Sequence, residues 1–290
     1  MKVSGFSFVR NAVKYDFPIV EAITSILPVC DEFIIAVGNS EDSTLELIKS
    51  INSEKIRIVE TVWDESLREG GKVLAVETNK ALDSISPDSD WAFYIQADEV
   101  FHEKDLTAIK DGMLRWKDDK RIEGLLFKHI NFYGSYDYVA DSRKWIKNEI
   151  RVIRNDKTIR SYNDAMSFRK NNKKLKIKKI DAVIYHYGWV KPPLIQLEKR
   201  KIFDTFWHDD KYIKNTYDNQ SEFDYYEIDS LSKFTGTHPS VMLDRIKNKN
   251  WHFIFDPTKS KKLSLRLHIL NYIYKKTGWL IGGFKNYKQI

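Results

Sequence analysis

The chain has 290 residues, of which 42% are hydrophobic and 31% are charged, and this ordinary globular composition excludes collagen-like, low-complexity and disordered classes. Its formal net charge of +7 is concentrated in residues 245–290, where 11 Lys or Arg face the single acid Asp256, a net +10 that leaves −3 for residues 1–244. One cysteine, Cys30, excludes an internal disulfide, and its apolar setting at a predicted helix end indicates a packing role.

Strand and helix patterns alternate along the first third of the chain. Short apolar runs predict strands, and the segments between them predict helices. The strands are predicted within residues 2–11, 33–37, 56–62 and 91–96, and the helices over residues 18–27, 45–51 and 72–82. Because most of these strands are continuous apolar runs, they are typical of a parallel sheet covered on both faces. The sequence therefore predicts an α/β fold.

The most informative segment is the fourth predicted strand, residues 91–96, which runs directly into Ala97, Asp98 and Glu99. Strand ends are where open α/β sheets bind their ligands. Carboxylates at such a point suit a hard divalent cation, because such cations take oxygen ligands. On this segment alone, an ordinary strand followed by a solvated acidic turn is an equally good interpretation.

The order of these segments resembles that of the family-2 glycosyltransferases, which are nucleotide-sugar enzymes with the GT-A fold. The family's loop after the second strand, Asp-Asn-Gly-Ser-x-Asp-Gly-Thr, is matched by Gly-Asn-Ser-Glu-Asp-Ser-Thr at residues 38–44. The family's Asp-x-Asp motif is matched by Gln96-Ala97-Asp98, with Gln96 in place of the first Asp. A later histidine that often binds metal in the family is matched by His186, within Tyr-His-Tyr-Gly-Trp.

The resemblance covers about residues 1–190. It implies a GT-A catalytic domain over residues 1–190, with a Rossmann-like, mostly parallel sheet and flanking helices. Residues 191–290 would then form a mainly helical, basic C-terminal extension. The implied activity is transfer of a sugar from a nucleotide-sugar donor to a hydroxyl acceptor, by an inverting, metal-dependent hexosyltransferase of cell-surface polysaccharide or glycan synthesis.

The resemblance also implies a donor site with a divalent ion, Mn²⁺ or Mg²⁺. The leaving nucleoside diphosphate carries negative charge, which such an ion stabilises. Asp98 and His186 are the expected metal ligands, and a place in an aromatic cluster at a strand end is the alternative for His186. The expected nucleotide-sugar site comprises Arg10, Asn11, Asn39, Asp42, Lys72, Gln96, Ala97 and Asp98. Turn chemistry for Asn39 and Asp42, and a plain surface position for Lys72, remain alternatives.

Inverting transfer also needs a general base for the acceptor hydroxyl. Residues 149–155 resemble the family strand that precedes this acid, and Asp164 follows them, so Asp164 is the candidate base. A turn or helix-cap role is its alternative. Glu99 is the second candidate, either as base or as support for the metal ligands. Arg151 and Arg154 could bind phosphate or acceptor anions, although strand alternation predicts that one of them is at the surface.

Two further segments have alternative interpretations. An aromatic group between residues 124 and 147 could stack against sugars or fill the core; it comprises Phe127, His129, Phe132, Tyr133, Tyr136, Tyr138 and Trp145. The basic run at residues 169–179 predicts a hairpin that turns at its two asparagines.

The basic C-terminal segment predicts a helix with one apolar stripe. The stripe comprises Leu263, Leu267, Leu270 and Tyr274, and it is flanked by Lys261, Lys262, Lys275 and Lys276. This pattern is typical of a helix at an anionic membrane surface, or of one docked on the catalytic domain. No segment has the length of a transmembrane helix, and no apolar leader is evident. We therefore expect a cytoplasmic protein with peripheral contact at the inner membrane face and a saccharide or lipid-linked saccharide acceptor.

Two other functional classes remain to be compared with a glycosyltransferase. A nucleotidylyltransferase on a similar sheet would carry a Gly-rich basic loop after the first strand, and the sequence there is Phe8-Val9-Arg10-Asn11. A non-enzymatic module could use the basic tail to bind nucleic acid. The chain has no recognised nucleic-acid motif, and the net charge of −3 over residues 1–244 disfavours nucleic acid as a partner.

Overall fold

The computed structural model of the protein describes residues 1–256, 264–278, 281–283 and 285–290. Its strands are β1 (Val3–Val9), β2 (Glu32–Gly38), β3 (Ile56–Thr61), β4 (Trp91–Tyr94), β5 (Glu99–Phe101), β6 (Gly124–Tyr133), β7 (Ser135–Ala140), β8 (Asn148–Arg154), β9 (Ile159–Tyr162), β10 (Ser167–Lys170), β11 (Lys173–Lys174), β12 (Lys176–Trp189), β13 (Leu231–Lys233) and β14 (Lys288–Gln289). Its helices are α1 (Ile19–Ile26), α2 (Thr44–Lys49), α3 (Lys72–Asp83), α4 (Leu106–Trp116), α5 (Pro193–Asp204), α6 (Asp210–Tyr217), α7 (Leu243–Lys247) and α8 (Leu265–Thr277). The predicted α/β fold is confirmed.

One large sheet organises the described residues. Strands β3, β2, β1 and β4 lie side by side in that order and are all parallel, as the apolar runs predicted. The sheet continues from β4 through β8, β6 and β7 with antiparallel pairings. Strand β12 then pairs in parallel with β6 and antiparallel with β5. The parallel strands end at one edge of the sheet, which is the edge expected to bind ligands.

Two hydrophobic layers cover this sheet. Along β2, Phe33 and Ile35 pack into one layer, while Ile34 and Ala36 pack into the other. All four are fully buried. Because successive strand residues point to opposite faces, a strand covered on both sides must be apolar throughout. The continuous apolar runs in the sequence are the direct result.

The predicted basic hairpin is present. Strands β10 and β11 pair antiparallel, and the two residues between them, Asn171 and Asn172, have φ values of 48° and 61°. Asparagine tolerates the left-handed backbone that a two-residue hairpin turn of this type requires. Cys30 is buried after α1, as predicted, and burial raises the pKa of its thiol.

The C-terminal helix α8 packs one side against the first 190 residues of the chain. The ammonium of Lys147 lies 5.5 Å from the ring centre of Tyr274, and Leu267 and Leu270 are half-buried. The opposite side exposes Leu265, Ile269 and Tyr272, by 77%, 52% and 64% of their surfaces. The predicted positions Lys261, Lys262 and Leu263, and the side chain of Lys275, lie outside the described residues. Within the described part of the chain, no helix is both long and apolar enough to cross a bilayer.

The remaining C-terminal elements also contact the first 190 residues. The Arg245 guanidinium pairs with Asp16 at 2.5 Å and with Glu21 at 2.7 Å, which joins α7 to the start of α1. Strand β14 pairs in parallel with the beginning of β12. Strand β12 ends at Trp189, next to the predicted domain boundary, and that boundary stays a prediction.

Candidate functional site

A cavity of about 740 Å³ opens where β1 and β4 end, and its walls are completed by residues of β8, β12 and α5. Predicted site residues line it as follows: Arg10, Asn11, Gln96, Ala97, Asp98, Asp164 and His186. The other predicted residues, Asn39, Asp42, Lys72 and Glu99, are not among its lining residues. The edge of the sheet therefore brings together most of the predicted donor site, both predicted metal ligands and the first-choice base.

Asp98 and His186 face each other in this cavity. Strand β5 pairs antiparallel with β12 so that Glu99 lies opposite His186, and the backbone N–H of Tyr187 donates to the Asp98 carbonyl at 2.8 Å. The Asp98 Oδ2 and His186 Nε2 atoms are 3.7 Å apart. A register shift in β12 follows His186 and contains Gly188.

Gly188 makes this approach sterically feasible. A Cβ atom at Gly188 would lie 2.6 Å from Asp98 Oδ2 and 2.5 Å from His186 Nε2, both closer than real Cβ atoms come to other atoms. A side chain here would push the carboxylate and the imidazole away. The sequence motif Tyr-His-Tyr-Gly-Trp thus supplies both a candidate ligand and the glycine that leaves room beside it.

Lys199, which the sequence analysis did not single out, completes this group. It comes from α5, is 8% exposed, and places its Nζ 3.1 Å from Asp98 Oδ2 and 3.0 Å from the Gly188 carbonyl oxygen. Burial would raise the pKa of Asp98, but the charges of Lys199 and of neighbouring His186 hold it well below its usual range. Lysines in helices are usually solvated, so the sequence gives little signal for this contact.

The Asp98–His186 pair fits a divalent cation as two of its ligands. One carboxylate oxygen and one imidazole nitrogen point to the same small space beside Gly188, and mixed oxygen and nitrogen ligands suit Mn²⁺ or Mg²⁺. Among the described residues, no His, Cys, Asp or Glu group of three or more could hold a metal ion. The remaining ligands would have to come from a bound diphosphate or water.

The Glu99 carboxylate lies behind the cavity wall, where it is bound by Arg151 and His129. Its carboxylate accepts two bonds of 2.6 Å from Arg151, one from Nε and one from the terminal nitrogen, and lies 3.3 Å from His129 Nε2. Burial would raise the pKa of Glu99, but the Arg151 charge and the His129 contact hold it well below its usual range. A fully buried, ionised and bidentate carboxylate is a poor proton acceptor, so this geometry favours support of the neighbouring Asp98 turn.

Both β8 arginines are buried, so the expectation that one of them is at the surface is wrong. Arg154 lies 3.8 Å above the Trp91 ring and donates to the Ile122 carbonyl at 3.0 Å. Arg151 lines the cavity but is held by Glu99. Strand β8 lies between β4 and β6 and is covered on both faces, which removes the solvated side that the prediction assumed.

Asp164 sits on a strained turn between β9 and β10. Its neighbours Asn163 and Ala165 have φ values of 50° and 58°, a left-handed backbone that is unusual for alanine. The Gln96 side-chain amide donates to the Ala165 carbonyl at 3.4 Å, which ties the turn to the acidic motif. A Cβ at Gly71 would lie 2.6 Å from the Asp164 Cβ, so Gly71 lets the turn approach α3. Strain of this kind is typical of functional sites.

The Asp164 carboxyl is poised to take a proton. Its Oδ1 atom is buried and has no hydrogen-bond partner among the described residues. Burial raises the pKa of Asp164, and two backbone N–H contacts lower it by a smaller amount. A carboxylate with a raised pKa and one unused oxygen is suited to general-base chemistry.

Glu149 is a second carboxyl in the cavity that the sequence analysis did not assign. It lies on β8 two residues before Arg151 and therefore on the same face, with 3.6 Å between its Oε2 and an Arg151 guanidinium nitrogen. Burial raises the pKa of Glu149 to about 8, against the lowering effect of Arg151. Burial thus favours the protonated form of Glu149, which can donate a hydrogen bond into the cavity.

Three cations at the cavity mouth pair with carboxylates that are more exposed than they are. The pairs are Arg10 with Glu65 at 3.1 Å, Lys14 with Glu41 at 2.7 Å, and Arg68 with Asp210 at 2.7 Å. Ion pairs that are exposed to solvent contribute little to stability, because water and salt screen them. The cations can therefore exchange these partners for an incoming phosphate at low cost.

The three predicted donor-site residues outside the cavity have local partners. Asn39 Oδ1 accepts from the Trp63 backbone N–H at 3.2 Å, and Asp42 accepts from the Lys14 backbone N–H at 2.6 Å. Lys72 is exposed and pairs with Glu69 at 2.7 Å. These contacts favour turn and surface roles, and contact with a nucleotide stays a prediction for these residues.

Some residues of the aromatic group between residues 124 and 147 line the cavity, and others fill the core. Trp145 and Trp189 line the cavity, with ring centres 5.7 Å apart and planes at 88°, and the Arg200 guanidinium lies 5.3 Å above Trp189. Phe127 and Phe132 lie in the core instead. The cavity thus has an aromatic wall of the kind on which sugar rings stack.

Comparisons with known proteins give low similarity. No family model matches the sequence, and no curated protein matches it. Among solved structures, TarS of S. aureus is 14% identical, with 70% of this chain and 39% of that chain covered and a TM-score of 0.38. Glucosyl-3-phosphoglycerate synthase from Mycobacterium tuberculosis, in complex with Mn²⁺, UDP and phosphoglyceric acid, is 19% identical, with 45% and 43% covered and a TM-score of 0.31.

A third similar structure is 4-diphosphocytidyl-2C-methyl-D-erythritol synthase from Anaerococcus prevotii, which is 11% identical, with 71% of this chain and 95% of that chain covered and a TM-score of 0.38. The protein spans about two fifths of the length of the TarS chain. Each of these three TM-scores is below 0.4.

Proposed function

We propose that this protein is an inverting, metal-dependent glycosyltransferase that moves a sugar from a nucleotide-sugar donor to a hydroxyl acceptor. The observation that carries the proposal is the convergence, in one cavity at the carboxyl edge of a parallel sheet, of the Asp98–His186 pair and of Asp164. The pair suits a metal-bound diphosphate, and the separate carboxylate suits deprotonation of an acceptor. The transferred group is proposed to be a hexosyl residue.

The donor would lie along the end of β1. Arg10 and Asn11 line the cavity there, with Trp63 beside them, since the Arg10 guanidinium is 5.7 Å from the Trp63 ring centre. A nucleotide base can stack on such a surface, and the diphosphate would extend toward Gln96 and Asp98. Arg10 would exchange Glu65 for a phosphate oxygen.

The leaving diphosphate would depart beside Asp98. Asp98 and His186 would hold an Mn²⁺ or Mg²⁺ ion, which would supply positive charge to the diphosphate oxygens. The chain keeps both ligands in place through the Tyr187 backbone bond to Asp98 and the space left at Gly188. Glu99 and Arg151 rigidify the same turn from beneath, since the Gln96 backbone N–H also donates to Glu99 at 3.1 Å.

Asp164 is the proposed base. As the acceptor oxygen bonds to the sugar's anomeric carbon, the bond from that carbon to the diphosphate oxygen breaks. The hydroxyl proton passes to the Asp164 carboxylate, and the electron pair leaves with the diphosphate. Attack from the side away from the leaving group inverts the anomeric centre. Glu99 is the weaker candidate because its lone pairs are held by Arg151.

The acceptor would occupy the aromatic side of the cavity. Trp145 and Trp189 offer stacking faces, and protonated Glu149 offers a hydrogen bond. We propose a saccharide or lipid-linked saccharide of cell-surface polysaccharide synthesis, met at the cytoplasmic face of an anionic membrane. The exposed face of α8, formed by Leu265, Ile269 and Tyr272 and flanked by basic residues, supports such peripheral contact.

A donor screen tests the proposed function. The protein is incubated with a panel of UDP-, GDP-, CDP- and dTDP-sugars and Mn²⁺, and release of nucleoside diphosphate is measured with and without saccharide acceptors. We expect release from one donor class, lost when EDTA is added and lost in Asp98→Ala. Release of pyrophosphate from a nucleoside triphosphate and a sugar phosphate would indicate a nucleotidylyltransferase instead, and no release from any donor would contradict the proposal.

A further inference from the structure

Lys199 is a buried cation that has no role in the transfer steps proposed above. Its ammonium contacts Asp98 Oδ2 at 3.1 Å and the Gly188 carbonyl oxygen at 3.0 Å, and it lies 4.8 Å from the Phe17 ring centre and 5.4 Å from that of Phe203. A buried ammonium is costly unless it is paired. Asp98 is therefore its counter-ion in the structure.

The Asp98 oxygen that contacts Lys199 is also the oxygen expected to bind the metal. Asp98 Oδ2 is the atom that faces His186 Nε2, so it is also the oxygen that a metal shared with His186 would use. An ammonium and a divalent cation held against one carboxylate oxygen in a poorly solvated site repel each other strongly. Binding of the metal therefore requires the Lys199 ammonium to move, or at least to find another anion.

We propose that Lys199 is an exchangeable internal cation, which neutralises Asp98 while the donor site is empty and moves to the leaving diphosphate when a divalent metal binds Asp98. This inference rests on the proposed function and adds a diphosphate-binding residue to it. The lysine has a flexible four-carbon stem, so its head group can move while the backbone of α5 stays in place. Phe17 and Phe203 can stabilise the ammonium during that movement through their ring faces.

The exchange predicts a thermodynamic coupling between metal and nucleotide. Without nucleotide, Lys199 competes with the metal for Asp98 and weakens metal binding. With nucleotide, the diphosphate accepts the ammonium, so the competition ends and a further ionic contact forms. Coupling between two ligands is reciprocal, so each should tighten binding of the other by the same factor.

The test measures metal and nucleotide binding separately in variants of Lys199. Lys199→Met removes the charge, and Lys199→Gln removes it while retaining a side chain that can donate to Asp98 and to the Gly188 carbonyl. Lys201→Met, on the same helix but outside the cavity lining, is the matched control. Mn²⁺ binding is followed by electron paramagnetic resonance in the absence of nucleotide. Binding of UDP, GDP, CDP and dTDP at saturating Mn²⁺ is followed by calorimetry.

The two readouts should change in opposite directions. We expect both neutral variants to bind Mn²⁺ alone about tenfold more tightly than the wild type, and the preferred nucleoside diphosphate about tenfold more weakly. The control should match the wild type in both. Unchanged or weaker Mn²⁺ binding in folded Lys199→Gln would overturn the inference, as would unchanged nucleoside diphosphate binding. Wild-type protein that binds neither ligand would instead overturn the proposed function, and the inference with it.

Discussion

Gly188 and Asp98 touch across the cavity wall, so closely that a Cβ on Gly188 would lie 2.6 Å from the Asp98 carboxylate. The contact depends on the pairing of β5 with β12, which brings the turn after β4 beside His186. The backbone pairing therefore positions Asp98 and His186, the two proposed metal ligands. The missing side chain of Gly188 leaves room for them.

Substitution of Gly188 should weaken metal binding although both proposed ligands remain. Gly188→Ala is expected to displace Asp98 and His186 and to weaken Mn²⁺ binding by tenfold or more. Asp98→Ala, which removes a hard ligand beside the diphosphate, is expected to abolish transfer. His186→Ala should act in the same direction but less completely. Electron paramagnetic resonance and turnover are the measurements, with circular dichroism to check folding. Near-normal turnover in Asp98→Ala would mean that the acidic motif has another role.

The base assignment can be tested by a substitution that keeps shape. Asp164→Asn cannot accept the acceptor proton, so it should slow transfer by about 10²-fold or more and leave donor binding intact. Calorimetry with the nucleotide and steady-state kinetics separate the two effects. Loss of donor binding would assign Asp164 a structural role in its strained turn.

Glu99→Gln is the comparison for that experiment. It breaks a fully buried, bidentate ion pair with Arg151, so we expect a loss of roughly 3 kcal/mol in the free energy of unfolding. Urea denaturation measures this loss. A rate defect in Glu99→Gln with unchanged stability, together with normal turnover in Asp164→Asn, would move the base to Glu99.

Glu149 should make the protein less stable as pH rises. Its pKa is about 8 in the folded protein and about 4.3 in an unfolded chain, so the folded state holds the proton more tightly between these values. The contribution of Glu149 to the free energy of unfolding should therefore fall across pH 4.3 to 8, and Glu149→Gln loses this contribution. The difference between the variant and the wild type should be smallest near pH 4.5 and grow by up to about 1.4 kcal/mol per pH unit. Urea denaturation at several pH values tests this, with exposed Glu54→Gln as the control.

The exposed face of α8 predicts membrane contact. Weak association with anionic vesicles that falls with salt is expected, and none with neutral vesicles, since each basic residue near the surface contributes on the order of 1 kcal/mol. Replacing Leu265, Ile269 and Tyr272 together by serine should reduce co-sedimentation while the melting temperature stays unchanged. Removal of residues 259–290 should also abolish association, but it deletes β14 and would lower stability. No co-sedimentation of the wild type at low salt would make α8 a docked helix only.

The sequence by itself predicted the parallel strands of the first third of the chain and the edge of the sheet at which the candidate site lies. Buried strands such as β2 and β4 must be apolar on both faces, so they appear in the sequence as continuous apolar runs. The charged turn after β4 is easily identified because it follows such a run directly. Asp98, His186 and Asp164 were predicted because their segments match family motifs, and all three line the cavity. The two-asparagine turn was predictable because its backbone requirement is local.

Only the tertiary structure decided which side chains meet. Lys199 lies far along the chain from Asp98, and nothing in a helical lysine indicates burial, so their ion pair depends on the position of α5, which places Lys199 beside Asp98 and the Gly188 carbonyl. The engagement of Glu99 by Arg151 and the protonation of Glu149 likewise depend on the antiparallel pairings of β8, which the sequence did not predict. Local patterns encode secondary structure, whereas the pKa and the partner of a charged group depend on burial and on residues distant in sequence.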